Sequence, residues 1–451
     1  MMCYAIPAKV VEIRNNIGIL DYFGEKRKVL VEFIDVNIGD YVYAQGGIAV
    51  NKISPSEAEK VLDTWKEAFF SLKKIDEDLS KTTLPLPPTI KLSETTIINK
   101  SHNTSANGKP SPAVLKTLQK INLNKQLSKE ELLFLMNISD KEELKLLYTM
   151  ANNLRHRERS NACCVHGIIE FSNFCKNDCF YCGIRKERNI TRYRMSIEEI
   201  IASASHAVNK LGFRALVLQS GEDDWYDENT LLSIVNEIRK LGVLIILSIG
   251  ERSKKLYQRL FDAGARGVLL RFETSNKEIF NEMRPNTDLE RRLELIRYLK
   301  ETGYITATGF LIGLPNEKPE DLINNIILTK SLKPDMYSFG PLIPTKETPL
   351  ESHDPVSKDA ALKVIALTRF IDRKATILIT TALETLAQEA KREGLLCGAN
   401  SLMINITPHK YKKLYSIYDH RAGIDIEVTR SIKETIDLLY ELGRAPVDLG
   451  V

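Results

Sequence analysis

The sequence predicts an α/β protein: a closed (βα)8 barrel of the TIM type, preceded by a small OB-like β-barrel that ends in a helix. From about residue 165, apolar strand-like runs alternate with amphipathic helical stretches in eight βα units over about 250 residues, the size of a closed parallel barrel. The first fifty residues instead alternate short β-rich runs with turn residues. Between the two lies a stretch rich in Pro, Ser, Thr and Asn that carries neither a helix nor a strand period.

In order along the chain, "AKVVEI", "IGILDY" and "RKVLVEF", with turns at Asn15-Asn16 and Gly39-Asp40, predict a small antiparallel barrel within residues 1–75. A helix follows in "SPSEAEKVLDTWKEAFFSL". Ser54 is its N-cap, Pro55 opens the first turn and Glu57 holds the capping-box position, while Ala58, Val61, Leu62, Trp65 and Phe69 share one face. Residues 76–112 are expected to be a flexible linker. Residues 113–451 then hold the large barrel, with strands at "IIEF", "LVLQS", "LIILSI", "VLLRFE", "GFLIG", "YSFGP", "ILITTA" and "LMINI". Helical stretches such as "SIEEIIASASHAVNKLG" and "LERRLELIRYLKETG" place apolar residues at three and four spacing and end in Gly. A doubly wound open sheet is the alternative, but eight even repeats favour closure.

With 451 residues, two unequal domains are expected. No run approaches the roughly 20 apolar residues of a membrane span, and the first residues show no basic-then-apolar export signal, so a cytoplasmic protein is expected. A net charge of +4, from 63 basic and 59 acidic residues, is too weak and too mixed for a nucleic-acid partner. Seven cysteines, three of them clustered, suggest metal or redox chemistry rather than a disulfide framework.

Cys175, Cys179 and Cys182 follow the first strand of the large barrel and therefore belong at its catalytic mouth. Three thiolates suit a four-iron four-sulfur cluster with one iron left open; structural zinc, the alternative, needs a fourth ligand. Cys163 and Cys164 precede the strand, roughly 20 Å from the trio at about 3.3 Å per residue. They read as buried small hydrophobes.

The CxxxCxxC spacing, with Tyr181 before the last cysteine, resembles the radical S-adenosylmethionine enzymes. In that family the open iron chelates the methionine moiety, and an electron from the cluster releases a 5'-deoxyadenosyl radical. "FSNFCKNDCFYCGIR", "RYRMS", "LVLQSGED", "LRFET", "ERRLELI", "GFLIGLP", "TTALET", "CGANSLMINITP" and "LYSIY" together resemble the hydrogenase maturase family HydE over roughly residues 125–445. The resemblance implies that Gln219, Glu273 and Arg292 contact S-adenosylmethionine, with Tyr181 near the cluster. It also implies that Arg271, Thr380, Thr381, Met403, Tyr415 and Tyr418 line the barrel interior, a set suited to a small anionic guest. "DHRAGIDIEVTRSIKE" holds no cysteine, so one four-iron four-sulfur cluster is expected. Ile406 stands where the family has Trp, and Lys412 where it has Arg.

"MCYAIPAKVVEI", "GDYVYAQGGIAV" and "ISPSEAEKVLDTW" resemble the HypC/HupF hydrogenase assembly chaperones over residues 2–72. In that family a cysteine at the processed N-terminus helps hold iron bearing cyanide and carbon monoxide; the matching thiol is Cys3, and Gln45 replaces the family's His. The two resemblances imply a radical enzyme of hydrogenase metallocofactor maturation acting on a small organometallic substrate. Its partners would be maturation factors and an external electron donor. The rivals are a small organic substrate, as in methylornithine synthase or biotin synthase, and an iron-sulfur scaffold without catalysis.

Overall fold

Residues 4–80 and 110–449 are described in the computed structural model, and Cys3 and most of the expected linker lie outside them. Strands β1 (Ala8–Arg14), β2 (Ile17–Tyr22), β3 (Glu25–Leu30), β4 (Tyr41–Gln45) and β5 (Ile48–Ile53) close into a barrel in the order β1-β2-β3-β5-β4. Its interior is filled by Val10, Leu20, Tyr22, Val29, Val42 and Ala44. Helix α1 (Pro55–Ser80) starts as its sequence requires. Ser54 Oγ accepts the Glu57 N–H at 3.3 Å, and Glu57 returns a carboxylate to the Ser54 N–H at 3.2 Å.

Helix α1 does not stop near residue 75. Trp65, Phe69, Leu72, Asp76 and Ser80 continue one buried face at three and four spacing, so residues 76–80, expected to be linker, are helical. Asp76 is the reason. Its carboxylate receives Arg155 on both oxygens, at 2.8 and 2.7 Å, and His156 at 2.7 Å, all within the second domain. A charged run that reads as solvated in isolation is thereby drawn into a buried ion pair.

Three helices, α2 (Pro112–Asn122), α3 (Lys129–Met136) and α4 (Lys141–Arg159), lead into the large barrel. Its strands are β6 (Ala162–Ser172), β7 (Ala215–Ser220), β8 (Leu244–Ser248), β9 (Gly267–Leu269) and β10 (Ile305–Thr308). A short β11 (Leu311–Ile312) is followed by β12 (Met336–Ser338), a short β13 (Gly340–Pro341), β14 (Ile377–Leu378), β15 (Ser401–Asn405) and β16 (Ala445–Pro446). The pairing of β15 with β6 closes eight parallel strands, and β16 adds to the outer start of β6.

Two strands differ from the expectation. The fifth is "ITAT", not "GFLIG": the more apolar run lies beyond the barrel strand and supplies β11, which pairs with β13. Strand β6 begins at Ala162, so Cys163 and Cys164 lie inside it rather than before it.

The small barrel sits against the N-terminal ends of the large barrel's strands. Tyr4 donates to Asn161 at 3.2 Å, and the buried cluster of the small barrel takes in Ala162, Cys164, Ala445 and Val447. Gly46, at φ +57° in the β4–β5 turn, packs so closely on Ile305 that a Cβ there would collide with its side chain. Val50 of β5 reaches the apolar layer formed inside the large barrel by Ile168, Val217, Leu244 and Ile246. No helix of the described residues is long and apolar enough to cross a membrane.

Candidate functional site

The cysteine loop leaves β6 at Ser172 and is fixed by backbone-directed side chains. Arg192, from "RYRMS", donates to four carbonyls: Asn173 at 2.6 Å, Ile184 at 2.9 Å, Arg185 at 2.6 Å and Arg188 at 3.0 Å. Arg194 forks onto Asp223 at 2.7 and 2.9 Å and lies 3.6 Å over the Phe174 ring. Asp223 also accepts from Ser172 at 2.7 Å, tying the loop to the "QSGED" turn. Gly221 in that turn has no room for a side chain, because a Cβ would strike the Phe174 carbonyl.

This loop roofs a cavity of about 330 Å³ at the C-terminal ends of the strands. Cys175, Cys179, Cys182, Tyr181, Gln219, Glu273, Arg292, Arg271, Thr380, Thr381, Met403, Tyr415 and Tyr418 all line it, so the expected site residues described here share one chamber. Its floor is apolar: Ile168, Leu269, Leu378 and Met403. Met403 thus packs as well as lines.

The three thiols are raised above the usual cysteine range, chiefly by burial. A single tetrahedral zinc with bonds of about 2.3 Å would draw its sulfurs to within about 4 Å of one another. Among the described residues, the group of three or more ligand atoms that converge within 4.8 Å is a different one, so the trio is spread more widely than one ion requires. That spacing fits a cluster, whose thiolates sit on different irons.

Glu273 stands at φ +71°, a strained position for a residue with a side chain, and its Oε2 accepts no hydrogen bond. Arg271 lies 3.5 Å from that oxygen. Arg292 is buried rather than on a solvated helix face; it donates to Arg271 O at 2.5 Å and pairs with Glu251 at 2.6 Å. Gln219 accepts from Ser248 at 3.4 Å, and the Thr380 hydroxyl has no partner. Tyr415 and Tyr418 are both held in the phenol form by burial.

Two cavity arginines escaped the sequence reading. Arg284 donates to the Tyr181 hydroxyl at 2.8 Å, while its Nε and Nη2 have no partner. Arg421 pairs with buried Glu170 at 2.5 Å and donates to Tyr415 O at 3.2 Å. Neither lies in a motif with a periodic signal; "NEMRP" and "DHRAG" carry arginine in loops where only the fold shows direction. Of the two replaced positions, Ile406 is core, and Lys412 donates to Ile426 O at 2.9 Å. Unbonded carboxylate, hydroxyl and guanidinium groups around one chamber fit a ligand with both an ammonium and a carboxylate, as S-adenosylmethionine has.

A parallel barrel with a three-thiol loop at its catalytic mouth defines a radical S-adenosylmethionine enzyme. The radical SAM superfamily profile matches residues 169–326, the Biotin and Thiamin Synthesis associated domain 338–445, and the HupF/HypC family 2–65. The chain is 36% identical to the FeFe hydrogenase maturase subunit HydE of Thermotoga maritima over 334 residues, which cover 74% of this chain and 94% of that protein. It is 31% identical to the 3-methylornithine synthase of Methanosarcina acetivorans, over 71% of this chain and 91% of that protein. Among solved structures, methylornithine synthase aligns at a TM-score of 0.67 and 26% identity, covering 73% of this chain and 97% of that one. The maturase HydG aligns at 0.64 and 18% identity, over 84% and 78% respectively, a likeness of fold. The chain belongs to the HydE family of radical S-adenosylmethionine enzymes and carries a HupF/HypC domain at its start.

Proposed function

We propose that this protein is a maturase of hydrogenase metallocofactors whose barrel acts on a small iron cyanide-carbonyl species, with the HupF/HypC domain docking iron cargo or the factor that carries it. The observation that carries the reading is the joining of a HydE-type barrel to a HupF/HypC domain in one chain. Rearrangement of an amino acid, the activity named for the methylornithine synthases, calls for no such domain.

Cys175, Cys179 and Cys182 would hold a four-iron four-sulfur cluster, and S-adenosylmethionine bound there supplies a 5'-deoxyadenosyl radical on one-electron reduction. The protein's own groups bind and orient. Glu273 offers its free oxygen to an ammonium or hydroxyl donor, and Arg284 offers two unbonded nitrogens to a carboxylate. Arg271, Thr380, Thr381, Tyr415 and Tyr418 would hold an anionic guest above the apolar floor, and that floor excludes water from below.

The test is anaerobic reconstitution followed by dithionite reduction with S-adenosylmethionine. Cleavage to 5'-deoxyadenosine is expected, and should be lost in Cys179→Ala. Hydrogenase maturation in a strain lacking its own HydE separates the readings: restored hydrogenase activity supports ours. Formation of methylornithine without such restoration would replace it.

A further inference from the structure

At the opposite end of the large barrel from the cysteine loop, Cys164, His166 and Asp448 bring one thiol, one imidazole and one carboxylate oxygen within 4.8 Å of one another. Cys164 and His166 are two apart on β6, so both side chains face the same side of the sheet. Asp448 follows β16, which pairs with the start of β6, and its carbonyl accepts the Arg214 N–H at 2.8 Å. Arg214 in turn lies 4.7 Å over the Tyr43 ring of the small barrel. All three groups are more than nine-tenths buried. His166 Nε2 stands 3.0 Å from Asp448 Oδ2, and the Cys164 thiol also hydrogen-bonds the Asp448 carboxylate, while His166 Nδ1 has no hydrogen-bond partner. Two residues beyond Tyr43, Gln45 is fully buried with both ends of its amide unbonded. Buried polar atoms left without partners are rare and call for a missing one.

We propose that Cys164, His166 and Asp448 form a site for one divalent transition-metal ion, zinc or iron(II), sealed between the two domains. The donor set is borderline in softness: a thiolate and an imidazole select zinc or iron over calcium and magnesium, the carboxylate gives a third ligand, and a water would take the fourth position. On binding, the proton of the Cys164 thiol and any proton on the metal-binding atoms of the other two groups pass to solvent, and no redox step is involved. The residues lie outside the catalytic cavity, and Cys164 packs in the buried cluster of the small barrel, so the ion enters most readily before that barrel docks and exchanges slowly afterwards. This site is independent of the chemistry proposed for the cysteine loop.

The experiment uses the full chain, expressed anaerobically in medium supplemented with zinc or with iron(II) so that the ion is present as the domains dock, then purified and desalted. Zinc retained in the protein should show, by X-ray absorption at the zinc edge, one sulfur at about 2.3 Å with nitrogen or oxygen at about 2.0–2.1 Å. Cys164→Ala should remove that sulfur and weaken binding by more than about a hundredfold, beyond the ~10–100-fold that loss of a ligand's outer partner produces. His166→Gln should weaken it at least tenfold, in keeping with the same range. Retention of either ion that depends on Cys164 supports the site. Zinc bound by two or more sulfurs, or neither ion retained, overturns it and leaves the three side chains as a hydrogen-bonded triad. The sulfur count is read on the unmodified chain, so the decision stands even if a variant fails to fold.

Discussion

Arg284 places a guanidinium with two unbonded nitrogens at the wall of the cavity beside Tyr181, and burial without a full set of partners is costly for such a group. We expect Arg284→Gln to weaken S-adenosylmethionine binding roughly ten- to a hundredfold, the loss of one charge-assisted contact of about 1.5–3 kcal/mol. Glu290→Gln, in the exposed first turn of the helix Leu289–Thr302, should leave binding unchanged. Equilibrium binding to the reconstituted chain decides; an Arg284 variant that binds like the parent would confine this arginine to orienting Tyr181. Arg292 differs, because its Nε and Nη1 already hold Arg271 O and Glu251. For Arg292→Lys we expect a binding loss that lysine's point charge cannot prevent, since it lacks the planar fork. At this scale the three cysteines were legible from their spacing, whereas Gln219, Glu273 and Arg292 came from the resemblance to HydE; all six line the cavity. Arg284, Arg421 and Asp448 were not legible, because their direction is set by loops that only the closed barrel positions.

Helix α1 is the clasp between the domains. Asp76 is 1% exposed and faces the guanidiniums of Arg155 and Arg444, whose side chains are 0% and 1% exposed. Burial alone would raise its carboxyl, but the His156 hydrogen bond and the two arginines outweigh that and hold it at about 2. Folding thus lowers this group from its ordinary 3.8, so its stabilisation is present above that value and is lost as the pH falls toward 2. Asp76→Ala should cost about 3–5 kcal/mol by leaving buried arginines uncompensated. Asp76→Asn should flatten the acid limb of stability between pH 4 and 2, measured by denaturant melts; an unchanged limb would assign the acid sensitivity elsewhere. The cysteine loop has its own clasp in Arg192. Arg192→Lys keeps the charge but cannot reach four carbonyls, so lower iron content per chain is expected after reconstitution, with the fold retained by circular dichroism. Element types were readable from period and caps. The fifth strand and the end of α1 were not, because "ITAT" is too polar and "KKIDED" too charged to signal a strand or a buried helix without their partners.

Across the whole molecule the two ends of the large barrel face different tasks, and an apolar layer parts them. The catalytic cavity ends on Ile168, Leu269, Leu378 and Met403, and Val50 of the small barrel packs against that layer from the other side. Strand β6 alone, at about 3.3 Å per residue, puts the small barrel some 30 Å from the cysteine loop. Any cargo held by the HupF/HypC domain would therefore have no straight path through the barrel, which favours the proposed role of a dock or carrier that exchanges with the outside. Truncating it is a poor test, because removal would bare Ala162, Cys164, Ala445 and Val447, which it covers. Point variants leave that face intact. If Cys3, the residue before Tyr4, holds an iron bearing cyanide and carbon monoxide, a chain coexpressed with hydrogenase maturation proteins and purified anaerobically should show metal-bound cyanide and carbonyl bands in the infrared. Those bands should persist in Cys179→Ala, which removes only the barrel's cluster, and vanish in Cys3→Ala. Bands lost with Cys179 and kept without Cys3 would place the diatomic-bearing iron in the catalytic cavity and leave the small barrel as a dock for another protein.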